Sequence, residues 1–75
     1  GEEDDRQPIP PQVLSDAYAS MREFAESFDF ELMEMVLDSL KEYRLPEADA
    51  QVISRITDHT LNMDWDGIKK ELSGI

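Results

Sequence analysis

The sequence predicts an all-α domain of four helices, arranged as two αα-hairpins in an up-down bundle, with a TPR-like packing of the hairpins as the neighbouring variant. Three observations predict it. Apolar residues recur at spacings of three and four in four successive segments. Each segment opens at a proline or an aspartate. A shift of 35 residues lays the second half of the chain on the first. The length of 75 residues allows one domain at most.

The first ten residues, GEEDDRQPIP, carry four consecutive acids and two of the prolines. They read as a disordered acidic linker, with Gly1 as the scar of a cleaved tag, so the chain is expected to be cut from a longer protein. Residues 11–75 form the expected single four-helix domain. From Pro11, the residues Val13, Leu14, Ala17, Tyr18, Met21, Phe24, Ala25 and Phe28 make one apolar stripe. Pro10 and Pro11 suit the start of that helix.

Asp29 is the expected N-cap of the second helix, with Glu31 in its positive first turn. Phe30, Met33, Val36, Leu37 and Leu40 form its stripe, flanked by Leu32 and Met35. Leu45-Pro46 is expected to end this helix near Arg44, since proline pushes its predecessor out of the α region. Pro46 and Glu47 then open a third helix to about Leu61, with Ala48, Val52, Ile53, Ile56 and Thr60 on its stripe. Asp64 caps a short fourth helix carrying Trp65, Ile68 and Leu72, and Gly74 is its expected stop. Gly67, inside its first turn, costs about 1 kcal/mol relative to alanine.

The 35-residue shift places Tyr18 on Ile53, Met21 on Ile56, Met33 on Ile68 and Leu37 on Leu72. It also places Phe28-Asp29-Phe30 on Met63-Asp64-Trp65. Each half is therefore a helix, an apolar-Asp-aromatic corner and a second helix. The period is close to that of tetratricopeptide repeats, but their Trp-Leu-Gly-Tyr consensus is missing, and two hairpins fall short of a solenoid. Hairpins packed face to face are expected instead. The expected core is Leu14, Tyr18, Met21, Phe24, Phe28, Met33, Leu37, Ile53, Ile56, Trp65, Ile68 and Leu72.

Composition narrows the functions. Eighteen acidic against seven basic side chains give a net charge of -11, which repels phosphates, so nucleic acid and anionic lipid are poor partners. Without cysteine there is no disulfide and no thiolate metal site. No stretch approaches the length of a membrane span. His59 is the only histidine and a candidate phospho-acceptor, but the string His59-Thr60-Leu61-Asn62-Met63 lacks the lysine and glycine of His-x-x-Lys-Gly. Asp64-Trp65-Asp66-Gly67 fails the spacing of a calcium loop. Glu23, Glu26, Glu31, Glu34 and Asp38 lie off the stripes, where nothing buries or couples them for acid–base work. Lys69 and Lys70 are too few for a polybasic signal and suit a helix C-terminus. No catalytic residue, metal or cofactor is therefore expected. Leu32 and Met35 beside the second stripe, with Tyr43, form a candidate docking face ringed by acids. Homodimerisation over leftover apolar surface stays open.

Pro10-Pro11, Phe28-Asp29-Phe30, Tyr43-Arg44-Leu45-Pro46-Glu47 and Met63-Asp64-Trp65 together resemble a small helical domain found at the C-terminal ends of large bacterial two-component signalling proteins. These are mostly hybrid sensor histidine kinases of Firmicutes, in which it follows kinase and receiver domains. The resemblance spans residues 10–73. It is similar in size and helicity to a truncated histidine phosphotransfer domain without that family's phospho-acceptor string. The resemblance implies a non-catalytic protein-interaction or regulatory module. Its implied partner is a neighbouring kinase or receiver domain, and its implied location is the cytoplasm or the cytoplasmic part of a membrane-bound sensor. A phosphotransfer protein using His59 and a free-standing αα-repeat adaptor are the alternatives.

Overall fold

Two prolines start the two long helices of the bundle. In the computed structural model, which describes residues 5–74, Pro10 and Pro46 stand as N-caps with ψ of 139° and 147°. From them run α1 (Pro11–Ser27) and α3 (Glu47–Leu61). The hairpin partners are α2 (Phe30–Leu40) and α4 (Trp65–Ser73). Just ahead of the two prolines lie β1 (Gln7–Pro8) and β2 (Tyr43–Arg44), which pair in parallel, Gln7 with Tyr43 and Pro8 with Arg44. Each half is thus a short extended segment, a proline, a helix, a corner and a second helix.

The hairpins face each other. α1 packs on α2 and on α4, and α3 packs on α4 and on α2, closing a ring of four helices. The core consists of matched positions from the two halves. Met21, Ile56, Met33 and Ile68 are fully buried, and Leu37, Leu72, Tyr18 and Ile53 join them. Ala25 and Thr60 occupy one more equivalent pair, and the buried Thr60 hydroxyl donates to Ile56 O at 2.7 Å in its own helix. The all-α arrangement of two hairpins is what the stripes and the 35-residue shift predict.

Both corners use one backbone device. After α1, the Phe28 N–H donates to Ala25 O and the Asp29 N–H to Phe24 O, at 3.4 and 3.0 Å. After α3, the Met63 N–H donates to Thr60 O and the Asp64 N–H to His59 O, at 3.0 and 2.7 Å. These are Schellman motifs, which require a left-handed residue at the turn. Phe28 and Met63 supply it, with φ of 55° and 56°. The next residue at once becomes the N-cap of the following helix. Asp29 accepts from Leu32 N–H at 3.1 Å, and Asp64 from Gly67 N–H at 2.9 Å.

The structure corrects several expectations. The linker read as far as residue 10 ends sooner: Ile9 is buried and its N–H donates to Arg44 O at 3.1 Å. An apolar side chain between two prolines is enough to tie this stretch down once β2 offers it a partner. Residues 1–4, including Gly1 with its expected tag origin, lie outside the described residues. α2 ends at Leu40, four residues short of Arg44. Pro46 restricts only Leu45, whereas the backbone of Tyr43 and Arg44 is taken by β1. The cation at that helix end is Arg6, whose guanidinium donates to Lys41 O at 3.0 Å. Phe28, placed in the core by its stripe, is 60% exposed. Leu14, Phe24 and Trp65 line the core without being fully enclosed, while Ala25 and Leu40 are buried.

A part-buried polar contact crosses between the halves. Tyr18 Oη donates to Asp49 Oδ1 at 2.8 Å. Burial, then the hydrogen bond to Asp49 and its charge, push the Tyr18 hydroxyl above the ordinary phenol range. A pKa raised on folding gives stability that is fully present below the unfolded value of about 10 and is lost as pH rises beyond it. Tyr18→Phe should cost about 1 kcal/mol at neutral pH. In urea unfolding followed by circular dichroism, the gap between wild type and variant should narrow above pH ~10.

Candidate functional site

The only histidine sits at the α3–α4 corner. His59 Nδ1 lies 3.2 Å from the Asp64 carboxylate, and Nε2 lies 3.6 Å from that of Glu71. Glu71 also accepts from Arg55 Nε at 3.0 and 3.1 Å, so the cluster ties α4 to α3. Both ring nitrogens face carboxylates, and a phosphoryl group on either would meet negative charge at close range. Among the described residues no group of three His, Cys, Asp or Glu side chains could hold a metal ion. Nor does any described helix have the length and apolarity to cross a membrane.

This cluster explains Gly67. A Cβ there would fall 2.5 Å from Asp64 Oδ2 and 2.7 Å from His59 Nδ1. The glycine admits the capping carboxylate and the imidazole to the first turn of α4 together.

The exposed apolar side chains form the second candidate. Among the described residues the large ones are Phe28, Leu32, Met35, Leu61 and Met63. Phe28 and Met63 are the left-handed corner residues. Leu32 lies in the first turn of α2, Met35 one turn on, and Leu61 in the last turn of α3. Both corners lie at the end of the bundle opposite the β1–β2 pair, so all five gather towards one end. Phe28 also reaches the other corner. Its ring meets that of Trp65 edge-on at 5.8 Å, and Lys69 Nζ lies 5.1 Å from its centre. Glu26, Glu31, Glu34, Asp58 and Asp66 stand exposed around this end.

Of the three residues expected to form a docking face, the structure keeps Leu32 and Met35 together on the exposed side of α2. Tyr43 is elsewhere: it lies in β2 at the opposite end, half-buried against the core. The residues that join Leu32 and Met35 are Phe28, Leu61 and Met63. Their signal in the sequence is the repeated apolar-Asp-aromatic corner, which reads equally well as a buried pin.

Comparison with protein-family models, curated proteins and solved structures finds no match to this chain. No described buried side-chain nitrogen or oxygen lacks a hydrogen-bond partner, so the interior holds no polar group waiting for a ligand. The exposed apolar end is the feature of the surface that folding leaves unused.

Gly67→Ala normally gains about 1 kcal/mol inside a helix. Here it should destabilise instead, because the added methyl displaces the Asp64 cap, itself worth about 1 kcal/mol. The penalty should shrink in a His59→Ala background when both are measured by urea denaturation.

Proposed function

We propose that the chain is a non-catalytic protein-interaction or regulatory module of a bacterial two-component signalling protein. It docks through the corner end of its bundle. The observation that carries this reading is the gathering of Phe28, Leu32, Met35, Leu61 and Met63 at one end, two of them in left-handed backbone. A non-glycine residue there costs about 1–2 kcal/mol. Phe28 has a folding contact there in Trp65, whereas Met63, held at such a position and left in water, has no folding reason to be large. Contact with another protein supplies one.

The two-component setting rests on the resemblance, whose corner motifs, Phe28-Asp29-Phe30 and Met63-Asp64-Trp65, are the segments that build this end. The partner is then a neighbouring kinase or receiver domain in the cytoplasm, presenting apolar side chains among basic ones to match the acidic rim. The carboxylates at both nitrogens of His59 favour docking over phosphoryl transfer. The closed ring of helices favours a self-contained module over one link of an αα-repeat adaptor.

The test is calorimetric titration of this chain with the kinase and receiver domains of its parent protein. Saturable binding to one of them is expected. Met63→Gly should weaken that binding at least about tenfold while raising stability by up to ~1 kcal/mol, because glycine relieves the left-handed strain. Binding unchanged by Met63→Gly, or no binding, contradicts the reading. Acid-labile phosphate on His59 after incubation with a phosphorylated receiver domain would favour phosphotransfer instead.

A further inference from the structure

The repeat gives the bundle two grooves of matching construction. One lies between α1 and α4, floored by Ala25 and Leu72 and edged by Arg22, Glu26, Lys69 and Ser73. The other lies between α3 and α2, floored by Thr60 and Leu37 and edged by Thr57, Leu61, Glu34 and Asp38, with Lys41 beside Asp38 and without a counterpart in the first. Every one of these pairs is related by the same 35-residue shift. The backbone frames are equivalent, so differences between the grooves belong to their side chains.

Those differences lie mainly in charge. Arg22 edges its groove, its guanidinium donating to Leu72 O at 3.4 Å. The equivalent Thr57 brings no charge to the second groove, its hydroxyl turned back to Ile53 O at 2.8 Å. Glu26 is replaced by Leu61, an apolar side chain in water, and the cation Lys69 by the anion Glu34. Ser73 is replaced by Asp38. The α2–α3 groove is therefore the smaller of the two, with Leu37 on its floor, Leu61 at its rim, and two acids with Lys41 along its α2 edge. Its volume of about 130 Å³ is close to the ~150 Å³ that takes one benzene-sized apolar group. Both threonine hydroxyls are satisfied within α3, so an apolar anchor placed there strands no donor.

We infer that the α2–α3 groove binds a cationic amphipathic helix of another protein, one aliphatic side chain seated between Leu37 and Leu61 and two basic side chains on Glu34 and Asp38. The inference rests on the docking reading and names its site and partner chemistry. Glu34 and Asp38 are one turn apart on α2, which matches lysines or arginines spaced i, i+4 on the incoming helix. Asp38 already pairs with Lys41 at 3.2 Å, but both side chains are 71% exposed, and such a screened pair exchanges readily for a partner's cation. A second copy is a poor occupant, because a chain of net charge -11 repels its own kind.

The probe is a synthetic amidated leucine–lysine peptide with leucines at i, i+3, i+4 and i+7 and lysines elsewhere. It is titrated into the ¹⁵N-labelled chain and followed by amide chemical shifts at low salt. Shifts are expected at Leu37, Thr57, Thr60 and Leu61, and not at Arg22 or Lys69. The double variant Glu34→Lys/Asp38→Lys should lose at least about tenfold in affinity. The charge-matched pair Asp16→Lys/Glu23→Lys should change it less than about twofold. All four positions are exposed, so the fold should survive, and unchanged far-ultraviolet circular dichroism checks this. Equal losses from the two pairs would mean unspecific charge attraction and overturn the inference, as would equal shifts in both grooves or no binding. Shifts confined to Phe28 and Met63 would overturn the groove while leaving the docking module intact.

Discussion

The whole structure depends on burying one apolar face between two hairpins. Met21 and Met33 come from the first hairpin and Ile56 and Ile68 from the second, and none of the four retains solvent exposure. Each fully buried side chain of this kind contributes about 1.5–3 kcal/mol. Neither hairpin covers its own face. The nine-residue α4 is far too short to hold helical structure in water by itself. After the entropy of ordering the chain, a domain this small keeps only about 3–5 kcal/mol, so the hairpins fold against each other or not at all. The β1–β2 pair fastens the same arrangement at the end where α1 and α3 begin.

Much of this is legible in the residues. Four stripes at helical spacing give four helices, and Pro10-Pro11, Asp29, Pro46 and Asp64 fix where they begin. What stays hidden has specific physical reasons. The left-handed corner residues are normally glycine or asparagine, and Phe28 and Met63 send no such signal. The strand pair is only two residues long, and its pairing is a long-range event that no local pattern of Gln7-Pro8 or Tyr43-Arg44 announces. The end of α2 depends on that pair, so it is misplaced with it. Phe28 sits on its stripe by spacing, yet the backbone reverses at that residue and swings its side chain outwards. Gly67 reads as a cost until the positions of His59 and Asp64 are known.

The candidate site is half legible for a related reason. Leu32 and Met35 fall off the α2 stripe and are exposed as their spacing requires. Tyr43 joins them only if the helix is longer, and the turn at Lys41-Glu42 carries it to the far end of the molecule. Duplication also offers a comparison within one chain. Equivalent backbone frames carry Arg22 in one groove and Thr57 in the other, Glu26 in one and Leu61 in the other. Residues that hold the fold repeat across the halves as apolar pairs, whereas residues facing solvent have diverged in charge. Core constraints act alike on both halves, and the contrast between them lies at the surface.

Native-state hydrogen exchange tests the mutual dependence of the hairpins most directly. If each hairpin is stable only against the other, the slowest amides of all four helices, α4 included, should open with one common free energy equal to that of global unfolding. Slow amides in α1 and α2 that persist while α3 and α4 exchange freely would contradict it, since the first hairpin would then stand alone.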